Sequence, residues 1–441
     1  MTSLSILVVG AGLSGLATAI SCAQSGHIVT VLEQAVELAE VGAGLQVTPN
    51  ASRLFKHWGL RQSLWREAPE PKTLTVHRYT GDVLAHDASF DKHIRQRYGA
   101  PFVDVHRVDL QQALYARAKE LGVVVVLAER VKSILDARDA ETLTATVLTE
   151  SGKTYTADLV VAADGLWSRC RECLLNRKDE PLPTGDLAYR IVLHIDQISD
   201  PKLRAFVQNP QVHFWIGPGA HVVSYSMRGG DMINIVLLVP DNLPPGVSRE
   251  AGSVEEMRGL FKGWDPVGDA CHPMLPYLAQ GANSSLEDGA VLGGLLGHLR
   301  HKSQLPQILK LYESLRKNRG EAIVRETFKQ RHDFHLPNGE EQERRDAIFK
   351  SQLGKDEVDA DTAFPSRWTC PKVQPWLYGY DAVKEVENAV KANPEIFGCS
   401  GDEKGVKSGG QGQKLLSWAG LSSYLPLYLP ILLFGVGKLV F

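Results

Sequence analysis

The first 33 residues limit the fold more than any other part of the chain. Residues 4–9 (LSILVV) form a short apolar run of the kind found in buried parallel strands. They lead into Gly10-Ala11-Gly12-Leu13-Ser14-Gly15, a GxGxxG, and then into LATAISCAQSG, which reads as a helix ending at Gly26. A second apolar run, residues 27–32, ends in Glu33, eighteen residues beyond Gly15. In a strand–turn–helix–strand unit the first glycine makes the turn, the second admits a pyrophosphate and the third lets helix and strand pack closely. The helix N-terminus then faces phosphate charge, and a carboxylate at the end of the second strand can accept from ribose hydroxyls. A GxGxxG alone is a weak signal, and a glycine-rich turn with no ligand stays open for it. With strand, helix, strand and carboxylate around it, the pattern specifies a Rossmann-like βαβ unit.

A second segment, residues 268–290 (GDACHPMLPYLAQGANSSLEDGA), complements the first. Asp269 follows a glycine, Pro273 and Pro276 stiffen the chain, and the small residues Gly281, Ala282, Asn283, Ser284 and Ser285 precede the acidic pair Glu287-Asp288. Such a loop offers backbone N–H groups to the polar edge of a flat ring with no side chains in the way. A flavin ring fits that description. Taken alone, the stretch also reads as a rigid turn before a capped helix.

With 441 residues the chain can hold two or three domains, and 44% hydrophobic and 22% charged residues are ordinary for a globular protein. A net charge of −3 with no basic block gives no reason to expect nucleic acid as a partner. Cysteines 22, 170, 173, 271, 370 and 399 are scattered, as in a reducing compartment, and the lone Cys170-Arg-Glu-Cys173 reads as incidental. Asn50-Ala-Ser52 and Asn283-Ser-Ser285 fit the glycosylation sequon, but both fall inside expected cofactor loops. The N-terminal apolar run is too short for a signal peptide.

Further along, Gly42-Ala43-Gly44 and Pro49-Asn50 open a helix through Leu54 and Trp58, and residues 105–110 (VHRVDL) start another. Residues 157–163 (ADLVVAA) read as a buried strand delivering Asp164-Gly165, with Ser168 and Arg169 opening a helix. Residues 73–90 and 182–240 carry alternating strands, and helices dominate 286–334. The segments GAGLSG with Glu33, GAGLQVTPNASR, HRVDL, ADLVVAADGLWSR, AYR, the line of His221, Tyr225 and Arg228, GDACHPMLPYLAQGANSSLEDGA and WLYGYDA together resemble the class A flavoprotein aromatic hydroxylases. They are closest to the salicylate hydroxylase-like monooxygenases, in a fungal style, over roughly residues 4 to 390.

The resemblance implies an α/β fold: a Rossmann-like FAD-binding domain with an inserted, mainly antiparallel β substrate domain. The expected division places FAD binding in 1–72, 100–181 and 267–335, and the substrate domain in 73–99 and 182–266. A helical segment follows at 336–398. It implies bound FAD, reduction by NADH or NADPH, and reaction with O2 at flavin carbon 4a to give a hydroperoxide that hydroxylates a phenolic or other aromatic small molecule. Gly10, Gly12, Gly15 and Glu33 would hold the ADP half; Ala43, Gly44 and Arg107 would meet the flavin and ribityl or phosphate region. Asp269 would bind ribityl hydroxyls, and Ala282 would offer its backbone to the ring. Asp164 would serve FAD packing and nicotinamide access, or be an ordinary strand-to-helix turn. Arg190 and Tyr225 are the expected substrate residues: a guanidinium favours an ionised phenol, and a tyrosine hydroxyl can bond the same oxygen. Arg190 also has a structural reading, and His213 and His221 are weaker candidates. An epoxidase of alkenes would share the cofactor motifs.

Two features depart from the pattern. The family places several dozen residues, ending in an apolar strand, before the Gly-Asp loop. Here Lys262-Gly263-Trp264-Asp265-Pro266 runs straight into Val267-Gly268-Asp269. A strand needs about five residues, and proline cannot donate within a central ladder. A shortened, inactive flavoprotein is therefore the competing expectation. Residues 399–414 then form a Gly/Ser-rich linker, and 415–437 are 23 residues without charge, bracketed by Lys414 and Lys438. That length suffices for a transmembrane anchor with the catalytic part cytosolic, against the alternatives of a hydrophobic tail and a cytoplasmic protein. If an exon has been skipped, sequencing transcripts across codons 260–270 will reveal a longer message; a single uninterrupted message would count against that origin.

Overall fold

The structure, a computed structural model, describes residues 2–38, 44–136, 144–181, 185–244, 247, 254–265, 278–355, 366–398 and the strand Leu432–Gly435. Its N-terminal half is organised by a five-stranded sheet. Ser5–Val9 lies between Ile28–Leu32 and Leu159–Ala162, all parallel; Val124–Val126 extends one side and Leu432–Gly435, antiparallel, the other. The strands are short aliphatic runs because both faces are covered: Val8, Val31, Val160 and Val161 are fully buried.

On one face, Ile6, Val8, Val29 and Val31 pack beneath the helices Leu13–Gln24 and Gln280–Leu296. These two helices lie unusually close, since a methyl carbon on Gly293 would sit 2.3 Å from Ser21 Cβ. On the other face, Leu7, Val9 and Val160 meet Val131, Ala145 and Val147 of a three-stranded antiparallel sheet. Period-two alternation thus sorts each strand's side chains between two cores.

A six-stranded sheet stands beside this unit, in the order Asp186–His194, Met232–Pro240, Ala220–Met227, Gln211–Gly217, Thr73–Arg78, Val83–Asp87. All its pairs are antiparallel except that of 211–216 with 73–78. Its inner face carries Val212, Phe214, Val223, Tyr225 and Val236, packed against Phe334, Phe349 and Trp368 of the later helical segments. Its outer face carries Trp215, Val222, Ile233 and Leu237 beneath Met257 and Phe261. A two-stranded ribbon, Gly44–Val47 with Val103–His106, lies between the two large sheets.

The helix Val254–Leu260 covers the outer face, and the chain is then fastened at Asp265. Its N–H donates to Tyr79 O (2.7 Å), and its carboxylate accepts from Trp215 Nε1 (3.1 Å). Among the described residues no strand lies between Pro240 and Gln280, and the sheet position beside Leu159–Ala162 is taken by Leu432–Gly435. Most of the expected membrane segment 415–437 lies outside the described residues. Where that stretch is described, it is extended backbone in register with Leu159–Ala162, just beyond Pro430, which cannot continue a helix. No helix among the described residues is long and apolar enough to cross a membrane.

Replacing Gly293 by valine forces apart the two helices that cover the sheet. Gly293→Val is expected to destabilise the fold by about 1–3 kcal/mol in denaturant unfolding, whereas Gly259→Ala, on an exposed helical position with open space around it, should cost clearly less.

Candidate active site

The glycine loop has the form its spacing demands. Gly10 has φ +103°, and a methyl carbon there would lie 2.4 Å from Ala163 O; one on Gly15 would lie 1.9 Å from Gly10 O. Gly12 has open space around the same position. The helix that follows has no side-chain cap and no acid in its first turn, and Ser14 Oγ is buried with no hydrogen-bond partner. An uncapped helix N-terminus, an open glycine and an orphaned hydroxyl fit a pyrophosphate. Glu33 sits at the loop's edge, where its carboxylate accepts from the N–H groups of Ala11 (2.7 Å) and Ala35 (2.8 Å). It thereby holds the loop's shape, with lone pairs left for a ribose hydroxyl.

Asp164 is used locally: Oδ1 accepts from Ser168 Oγ (2.6 Å) and Oδ2 from Cys170 N–H (2.9 Å). That is the strand-to-helix turn role. Cys170 and Cys173 are both free thiols.

The helix Gln280–Leu296 starts, also uncapped, from Ala279 at φ 52°, with half-buried Ala282 in its first turn. Its polar residues are built into a buried network. Asn283 Oδ1 accepts from Thr48 N–H (3.1 Å) and its Nδ2 donates to Gln46 O (3.0 Å), while Asn50 Nδ2 donates to Gln280 Oε1 (3.1 Å) and Glu287 Oε1 (2.7 Å). Asn50 and Asn283 are fully buried, so neither sequon is accessible for glycosylation. Glu287 also takes Arg316 Nη2 (2.7 Å) and both Nε and Nη2 of Arg319 (2.8 and 2.7 Å), and Asp288 takes Arg316 Nε (2.5 Å). Tyr380 lies over Arg319, its ring centre 3.9 Å from Cζ. Burial alone would raise the Glu287 carboxyl, but Arg319 and Arg316 outweigh it and hold it below its ordinary value. Asp288 has one partner and an unpaired Oδ2; burial prevails and pushes it up to about 6.

The substrate sheet brings Arg190 and Tyr225 together. Arg190 is opposite Val236, which is opposite Val223; two residues along, Tyr225 is opposite Asn234, which is opposite Val192. All of these share the inner face. Burial lowers the Arg190 guanidinium, opposed by Tyr225 and aided by neighbouring Arg107. Burial raises the Tyr225 phenol, with Asp104 adding to the effect and Arg190 opposing it. Tyr225 is thus a neutral donor, beside arginine charges that favour an anion. The ribbon closes over it: Gly44 packs so near that a methyl carbon there would lie 2.5 Å from Tyr225 Cε2. Asp104, on the other ribbon strand, is fully buried, accepts from Gln46 Nε2 (3.0 Å), and is pushed well above the usual carboxylate range by burial.

Arg107 begins the helix Arg107–Glu120, whose start is fixed to the sheet's end by Arg228, donating to both oxygens of Asp109 (2.8 and 2.7 Å). His221 is consumed in a buried contact with His335 (2.8 Å). His213 faces the opposite side, bonded to His77 (2.9 Å) and stacked on Trp215. The structure therefore assigns both histidines to packing. Ala43 and Asp269 lie outside the described residues. A cavity of about 410 Å³ lined by His86, His93, Arg97 and Lys355 lies off the strand Val83–Asp87 and includes none of the expected site residues.

Sequence reasoning missed the network of Asn50, Gln280, Glu287, Arg316 and Arg319. Its signal was an acidic pair in an otherwise small-residue helix, answered by two arginines three residues apart. Glu287→Leu removes the carboxylate that both buried guanidinium groups share, leaving Arg316 with Asp288 and Tyr380 and Arg319 with backbone carbonyls, and is expected to cost about 3–5 kcal/mol in equilibrium unfolding at pH 7. Asp288, raised in the folded state, opposes stability as pH rises from its unfolded value toward about 6. Asp288→Asn should flatten stability between about pH 4 and 6, with little loss at pH 7; a steeper profile would contradict the assignment.

Comparison with known proteins agrees with this geometry. The model of the FAD binding domain family matches residues 3–240 and 266–327. The FAD-dependent monooxygenase OpS4 of Beauveria bassiana (strain ARSEF 2860) is 44% identical over 431 residues, covering 89% of this chain and 98% of that protein. Since 89% of 441 residues is fewer than 431, the relative carries residues that this chain lacks. The 3-hydroxybenzoate 6-hydroxylase of Polaromonas naphthalenivorans (strain CJ2) is 28% identical, covering 86% of this chain and 96% of that one. A salicylate hydroxylase–substrate complex shares the fold at TM-score 0.67 and 22% identity, covering 88% of this chain and 98% of that one. The chain belongs to the FAD binding domain family, among the FAD-dependent monooxygenases of class A aromatic hydroxylase type.

Proposed function

We propose that this chain hydroxylates a phenol or a similarly electron-rich aromatic small molecule, with FAD as cofactor and NADH or NADPH as reductant. The observation that carries the reading is the inner face of the six-stranded sheet, where Arg190 and Tyr225 lie beside the ribbon that begins at Gly44. Bound and reduced, FAD supplies the activation of O2. The protein's tasks are to bind the cofactor, exclude water and hold the aromatic ring.

Gly10, Gly12, Gly15 and Glu33 hold the ADP half in this reading. Arg107 and the N-terminus of the helix Gln280–Leu296, at Ala282, face the remaining phosphate and ring. Arg190 stabilises the ionised phenol oxygen, which raises electron density on the ring, and neutral Tyr225 donates to the same oxygen. The site's apolar surroundings strengthen both interactions. A neutral alkene offers the arginine and the tyrosine no ionised oxygen to stabilise, which argues against epoxidation.

A second reading, a shortened flavoprotein without activity, is favoured by the absence of a strand between Pro240 and Gln280 among the described residues. The two separate in one assay series on the purified full chain. The hydroxylase reading expects a yellow protein whose NADH or NADPH oxidation is stimulated by some phenols and not by polyenes. Arg190→Met should lower kcat/KM for the phenol by about 10- to 100-fold, as for a hydrogen bond to a charged group worth about 1.5–3 kcal/mol, with flavin content unchanged. A yellow protein that no phenol stimulates would support the second reading.

A further inference from the structure

We infer that Asn234 is a positioning residue that sets the distance between the flavin side of the site and the substrate sheet, a role that rests on the monooxygenase reading above. Asn234 is fully buried on the strand Met232–Pro240, directly opposite Tyr225, on the face that carries Arg190. A polar amide here is out of keeping with its aliphatic neighbours, Val192, Val223 and Val236. Its Oδ1 accepts from the N–H of Gly44 at 3.0 Å. Gly44 is the first residue of the ribbon strand, and a methyl carbon on it would meet Asn234 Cβ at 2.8 Å and the Tyr225 hydroxyl at 2.7 Å. The ribbon is thus drawn onto the sheet as closely as a glycine allows.

The far end of the same strand is held in the same chemical way. Thr48 N–H donates to Asn283 Oδ1, and Asn283 Nδ2 donates to Gln46 O. Asn283 belongs to the first turn of the helix that carries Ala282. One asparagine therefore fixes the strand to the substrate sheet, the other to the helix assigned to the flavin. Residues 44–48 act as a spacer of fixed length between them.

The two amides differ in one respect. Asn283 uses both its polar groups, whereas Asn234 Nδ2 is buried with no hydrogen-bond partner. An unsatisfied buried donor opposes stability. A leucine of similar volume would avoid that penalty, so packing alone does not account for the amide. Its acceptor oxygen does, through the Gly44 N–H. A hydroxylase needs this precision, because an aromatic carbon displaced by about 1 Å from its reacting position loses the rate advantage of orientation. Reducing equivalents would then be released as hydrogen peroxide instead of appearing in product.

Two variants of the full chain test this. Asn234→Asp keeps an acceptor for Gly44 and removes the unpaired donor; Asn234→Leu keeps volume and removes both, with Asn234→Ala as substitute should the leucine variant not fold. Amide hydrogen exchange at Gly44, followed without added flavin, is expected to be slow in the wild type and in Asn234→Asp. It should be about tenfold faster or more without the acceptor. In flavin-loaded enzyme, Asn234→Leu should at least roughly halve the product formed per nicotinamide oxidised while flavin content stays near wild type. Fast Gly44 exchange in the wild type, or an unchanged product ratio in a folded variant without the acceptor, would overturn the proposal. So would parallel losses of flavin and stability at constant product ratio, the mark of a merely structural residue. A wild type that takes up no flavin would defeat the functional reading instead, and Gly44 exchange would still decide whether the latch exists.

Discussion

Glu287 is the charge around which the cofactor half of this protein closes. Two arginines from the long helix Leu305–Phe334 converge on its buried carboxylate, and Asn50 reaches it from the helix after the ribbon. Each cation would be costly to bury alone, and together with the acid they are matched in charge and hydrogen-bonded. The pairing holds the late helices against the N-terminal sheet, so that the two uncapped helix ends, at Gly12 and Ala279, belong to one packed unit. Its stabilising part is present above the unfolded carboxyl value of about 4.3 and is lost as pH falls through the lower folded value.

From that unit the site follows by extension. The strand Gly44–Val47 leaves the nucleotide-binding core and lies against the inner face of the substrate sheet. Arginine charge and a phenol hydroxyl meet there, under a cover of buried aliphatic and aromatic side chains. The ribbon strand is tied to the sheet on one side and to the helix Gln280–Leu296 on the other by backbone hydrogen bonds to asparagines.

Much of this was legible in sequence. The GxGxxG with its flanking strands and Glu33 folds as its spacing requires, because Gly10 and Gly15 each answer a contact that a methyl group would break while Gly12 keeps the space above the helix end open. The alternation in residues 182–240 marked strands of the six-stranded sheet, Arg190 and Tyr225 among them. Their common face depends on register, which alternation alone does not supply. The buried ionic cluster was hidden because its partners are separated by about thirty residues of sequence and look like surface charges one at a time. His213 and His221 were weaker candidates because a lone strand histidine is more often a satisfied structural residue, and each is bonded to another histidine. The hydrophobic tail stayed open in sequence because length and lack of charge satisfy a membrane helix, while the strand at Leu432–Gly435 is all of it that is described.

Among the described residues no strand lies between Pro240 and Gln280, and a similar monooxygenase carries residues that this chain lacks; binding of the cofactor is therefore the point at which the account is most exposed. The central claim is that the described elements suffice to bind FAD. Titrating the flavin-free, full-length protein with FAD and following flavin fluorescence tests it most directly. The account predicts saturable quenching at one FAD per chain, abolished when Gly12 is replaced by a bulky residue. A cooperatively folded protein that leaves FAD fluorescence unchanged would contradict it.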